Sequence, residues 1–78
     1  MSEALPLIAV LDASALYSAP IRHLLIALAI RGAFQARWTA AIQDEWTQAL
    51  LRDRPDLDAR RIARTRFLME TCIPDAEP

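Results

Sequence analysis

The stretch Leu7-Ile8-Ala9-Val10-Leu11-Asp12 decides the fold. Five apolar residues in a row, without polar alternation, read as a strand buried on both faces, the pattern of a parallel sheet. The run stops on a carboxylate. Ligands of open α/β sheets bind outside the carboxyl ends of the strands. Asp12 therefore stands where either a site residue or a plain turn or cap aspartate would stand.

Downstream, Ala13 to Ala19 reads as a short turn-like piece. Pro20 suits the first turn of a helix, where no amide donor is needed, and that helix runs to about Arg31. The apolar run Leu24–Ile30 predicts a buried helix that expects neighbours on more than one side. Gly32, the only glycine, lies just past it, where a left-handed residue is wanted. Phe34-Gln35-Ala36-Arg37-Trp38 alternates with period two and predicts a second strand. Thr39 can cap a helix over about Ala40–Arg54, which Asp53-Arg54-Pro55-Asp56 breaks. Asp58 can cap a last helix, about Ala59–Thr71, stopped by Pro74. The order is βαβαα. A strand, a crossover helix and a second strand close right-handed with parallel strands. The fold class is α/β, one partial domain over residues 1–78.

Composition sets a tension. The chain has 78 residues, of which 54% are hydrophobic. A domain near 60 residues buries only about 60% of the surface its unfolded chain exposes. Two parallel strands are also an unfinished sheet. Part of the first strand's edge and the helix from Ile21 to Ile30 are therefore expected to be covered by something outside this sequence. Nine arginines and no lysine against ten acids give a net charge of −1, no strong pull toward nucleic acid or membrane. Cys72 stands alone and His23 is the only histidine, so a disulfide scaffold and a Cys/His metal cluster are excluded. Met1-Ser2-Glu3-Ala4 carries an acid where a signal peptide carries base, and no run reaches the ~20 apolar residues of a membrane helix. A cytoplasmic protein without a membrane partner is expected.

Glu45 stands out on helical geometry. At about 100° per residue, Ile42, Trp46, Ala49 and Leu50 share one face, Asp44 points to water, and Glu45 falls on the flank of the buried face. It can look into a crevice, or pair on the surface with an arginine such as Arg52. Two converging carboxylates suit a hard cation, Mg2+ or Mn2+, and such a cation can assist phosphodiester cleavage. Trp38 and Trp46 read as core, His23 as a polar residue near a helix start, and Ile62, Thr65, Leu68, Met69 and Cys72 as a packing stripe. Arg60 and Arg64, one turn apart, read as a solvated face that could also track phosphates.

Val10-Leu11-Asp12-Ala13-Ser14-Ala15-Leu16-Tyr17, with Ala19-Pro20-Ile21-Arg22, resembles the opening motif of the PIN domain. Phe34-Gln35-Ala36-Arg37-Trp38-Thr39 through Ile42-Gln43-Asp44-Glu45-Trp46, followed by Arg54-Pro55-Asp56-Leu57-Asp58, resembles the next blocks of bacterial PIN toxins of the VapC type. The resemblance covers about Leu7 to Asp75. It implies a Mg2+- or Mn2+-dependent endoribonuclease in which Asp12 and Glu45 are catalytic metal ligands and Ser14 orders the site. It also implies an RNA substrate, with Arg22 and Arg37 as candidate phosphate contacts, and a cognate antitoxin as partner. A PIN domain carries further acids after a third strand, and the sequence stops at Pro78 before any such segment. The expectation is the N-terminal half of such a domain, not catalytically complete alone. On that reading a complementing C-terminal half restores activity; the alternative is a non-enzymatic module that binds an antitoxin or pairs with itself as a homodimer.

Overall fold

A computed structural model describes residues 7–77. The N-terminal segment read against a signal peptide lies outside the described residues. The chain forms β1 (Ile8–Val10), α1 (Ala13–Tyr17), α2 (Ala19–Ile30), β2 (Gln35–Arg37), α3 (Ala40–Asp53) and α4 (Ala59–Cys72). It is a small α/β fold with four helices and a two-stranded parallel sheet, in the register Ile8↔Gln35, Ala9↔Ala36 and Val10↔Arg37.

One element departs from the sequence reading. Ala13 to Tyr17 is a short helix rather than a turn. The Asp12 side chain accepts a hydrogen bond from the Ala15 amide at 2.9 Å, which satisfies a donor that the helix start leaves free. Five residues are too few to display a helical period in sequence. The other boundaries follow local chemistry. Thr39 accepts from the Ile42 amide at 3.1 Å and Asp58 from the Arg60 amide at 2.9 Å. Gly32 has a φ of 81° and ends α2, with Gly32 N–H donating to Ala29 O and Ala33 N–H to Leu28 O. These two bonds are the Schellman pair, and the positive φ is what only glycine adopts without cost.

The core gathers Leu11, Leu16, Ala36, Trp38, Trp46, Ile62, Met69 and Ala76. Trp38 and Trp46 are each 1% exposed, so both are core as their sequence context suggested. After α4 the chain turns back to the sheet. Trp38 N–H donates to Ala76 O at 3.1 Å, and Ala76 is fully buried. The bonds between the strands use Gln35 and Arg37, so Trp38 N–H leaves β2 on its other edge.

The expectation of a strand buried on both faces fails for β1. Ile8 is 57% exposed and Val10 70%. The helix α2, expected to be buried with help from outside this sequence, likewise leaves Ile21, Leu24, Leu28 and Ile30 exposed. Nothing among the described residues covers them, which is the outcome the apolar excess implied.

Candidate functional site

α1 and α3 pack side by side and flank an open surface cavity of about 310 Å3 lined by Ala13, Ser14, Tyr17, Glu45, Trp46, Ala49 and Asp53. Ser14 and Tyr17 are one turn apart on α1. Glu45, Ala49 and Asp53 follow at intervals of four on α3, within an arc of about 80°. Helical spacing thus turns four polar side chains toward one space: two carboxylates, a serine hydroxyl and a phenol.

Two of the residues singled out from sequence, Ser14 and Glu45, are brought together here. Glu45 is exposed and forms no ion pair among the described residues; Arg52 pairs with Asp53 instead. Asp44 is exposed, as its position on the helix required, and it is engaged by Arg66, which also holds Glu70. Asp12 sits at the amino end of α1 and does not line the cavity. Its cap bond comes from the Ala15 amide, and no bond joins it to the Ser14 hydroxyl.

The site also contains residues that the sequence reading passed over. Asp53 was assigned to the break after α3, yet it is the last residue of the helix and accepts a 2.9 Å hydrogen bond from the Tyr17 hydroxyl. That bond raises the pKa of Tyr17 above its ordinary 10.0, because the neighbouring carboxylate favours the protonated phenol. Its signal was the eight-residue interval from Glu45, which returns a helix to nearly the same face.

The arginines divide sharply. Arg22, a candidate phosphate contact, is buried. It donates from Nη1 to Leu16 O at 2.7 Å, and its guanidinium lies 4.7 Å from the centre of the Trp46 ring. Burial lowers its pKa from the ordinary value. In this structure Arg22 closes off the carbonyl end of α1 and is turned away from solvent. Arg37, the other candidate, is half-buried and donates from Nη1 to Asp75 O at 2.8 Å. It lines a separate cavity of about 600 Å3 between β2 and the segment after α4. Arg60, Arg61 and Arg64 are exposed on α4 and free of ion pairs among the described residues. Gln43 was also missed: it is fully buried, and its Oε1 accepts from Trp46 Nε1. Its spacing of three from Trp46 was the available cue.

The donor set falls short of a cation centre. Among the described residues, no group of three or more His, Cys, Asp and Glu side chains is placed to hold a metal ion. Of the three acids near α1, Asp12 caps the helix, Asp53 is taken by Tyr17, and Glu45 alone stands unengaged in the cavity. Likewise, no helix among the described residues is long and apolar enough to cross a membrane.

No family model, curated protein or solved structure matches the chain.

Proposed function

We propose that this chain is the N-terminal part of a PIN-like, metal-dependent endoribonuclease of the VapC toxin type, working in the cytoplasm and catalytically incomplete by itself. The observation that carries the reading is the shared cavity of Ser14 and Glu45, on two separate helices. The same two residues carry the resemblance of the opening motif and of the block after β2. The exposed Ile8 and Val10 of β1 support the incompleteness, since a parallel strand apolar throughout is built to lie inside a larger, covered sheet. Mg2+ or Mn2+, the RNA substrate and the antitoxin belong to the completed domain, which would have to add carboxylates to Glu45 and Asp12.

The test is cleavage of a mixed-sequence RNA with Mn2+ present. The chain alone is expected to leave the RNA intact. Adding a polypeptide that supplies the missing acid-bearing strands is expected to start cleavage, and Glu45→Gln to stop it. Cleavage by the isolated chain that survives both Asp12→Asn and Glu45→Gln would overturn the reading.

A further inference from the structure

A groove of about 860 Å3 lies between the amino end of α2, the end of α3 with the loop beyond it, and the first turns of α4. It shares Tyr17 with the Ser14–Glu45 cavity and is otherwise separate from it. Its charged lining is uneven. Arg54 and Asp56 are joined by two hydrogen bonds, at 3.1 and 3.0 Å, and neutralise each other. Asp58 uses Oδ1 to accept from the Arg60 amide. Arg22 and Arg61 border the same groove and have no carboxylate partner among the described residues. Arg22 is only 7% exposed, and a buried charge is costly unless it is paired. Its contacts, the Leu16 and Tyr17 carbonyls and the Trp46 ring, are all neutral, and its Nε–H has no acceptor among the described residues. α2 begins at the same place. Ser18 makes no side-chain cap bond there, and the Ala19 amide has no backbone acceptor among the described residues. The first turn of a helix attracts anions through its free amides and the helix dipole. A guanidinium without an anion and a helix start without a cap thus border one groove, with Arg61 on its α4 side.

We propose that this groove binds the phosphate group of a small phosphomonoester, held by Arg61, Arg22 and the start of α2, with the organic part of the ligand over Leu50, Leu57 and Ile62. A dianion suits the place because two guanidinium groups lack counter-charges, and a guanidinium matches phosphate oxygens in geometry as well as in charge. The two aspartates of the lining do not cancel its three arginines, so the groove stays net positive. The organic part follows from the rest of the wall. Leu50, Leu57 and Ile62 are apolar, and the volume falls within the roughly 300–1,000 Å3 of small-molecule sites, far more than a lone phosphate fills. Apolar walls with a few convergent polar groups are the usual composition of such sites.

Isothermal titration of the full chain with phenyl phosphate, inorganic phosphate and phenol, at one fixed ionic strength, tests this. Phenyl phosphate is expected to bind, inorganic phosphate to bind more weakly, and phenol to give no heat. Arg61→Gln is expected to weaken phenyl phosphate by about tenfold, the loss of one charge-assisted contact. The far-UV circular dichroism is expected to stay unchanged, because Arg61 is exposed. Arg64→Gln, a turn further along α4 and outside the groove, is expected to weaken it by less than about twofold, since solvent and salt screen a charge at that distance. Absence of phenyl phosphate binding at millimolar concentration overturns the proposal. So does binding that Arg61→Gln weakens no more than Arg64→Gln does, which marks a diffuse attraction to the arginines of α4. Inorganic phosphate bound as tightly as phenyl phosphate overturns the phosphomonoester, and phenol bound as tightly overturns the anion site. None of these readouts involves RNA or metal, so the nuclease reading and the phosphomonoester site stand or fall separately.

Discussion

α3 and α2 are helices of similar length with opposite compositions. α3 carries polar residues at half its positions, and its inner face is closed tightly: Trp46 and Gln43 are almost fully buried, and Thr47 Oγ1 donates to Gln43 O. α2 is nearly all aliphatic, and most of its large side chains reach solvent. The more hydrophobic helix is the less buried one. Hydrophobicity states what a residue gains from burial, about 25 cal/mol per Å2 of apolar area, but the available partners decide whether the gain is realised. α3 finds α1 and α4 within this chain. One side of α2 does not.

The sharpest way to break this comparison is to cut into α3. Trp46→Ala should destabilise by about 3–5 kcal/mol, through lost burial and the cavity left behind. Urea denaturation would read this as a large fall in midpoint at similar slope. Arg22→Ala should follow at roughly 2 kcal/mol, since it leaves Leu16 O without its donor and Trp46 without its cation. Thr39→Ala should cost about 1 kcal/mol by removing the cap of α3. Leu24→Ala should change the stability by less than about 0.5 kcal/mol, because the side chain is exposed. A Leu24→Ala loss as large as that of Trp46→Ala would erase the distinction between the two helices.

The smallest expected effect is spectroscopic. Tyr17 is the only tyrosine, so its ionisation is readable by absorbance. Its folded pKa is raised above the ordinary 10.0 by Asp53. The hydrogen bond therefore contributes stability below pH 10, and that contribution is lost as pH rises through the folded pKa. Asp53→Ala should move the absorbance midpoint back toward 10. An unchanged midpoint would mean that the bond between α1 and α3 is absent in solution.

The sequence revealed what local chemistry decides. Thr39, Asp58 and Gly32 mark helix ends because each satisfies backbone groups within a few residues of itself. The parallel pairing of β1 with β2 followed from the crossover rule. α1 was hidden because one turn and a half leaves no period to read. Arg22, Gln43 and Asp53 were hidden for another reason. Each is polar, and its place depends on a partner distant in sequence or on the packing of another helix. Arg22 looked like a surface cation until Leu16 O and Trp46 accounted for it. Glu45 was legible because it sits beside a tryptophan whose burial could be inferred; Asp53, two turns on, had only a proline-bearing break beyond it.

The buried cation is an arginine, and that choice has a consequence for acid and base. A lysine in the same place would shed its proton to escape burial, and a histidine would switch within the physiological range. The guanidinium keeps its proton throughout, even with its pKa lowered. The charge beside Trp46 is therefore permanent. In a pH titration followed by tryptophan emission, no protonation event at Arg22 contributes to the signal from Trp46.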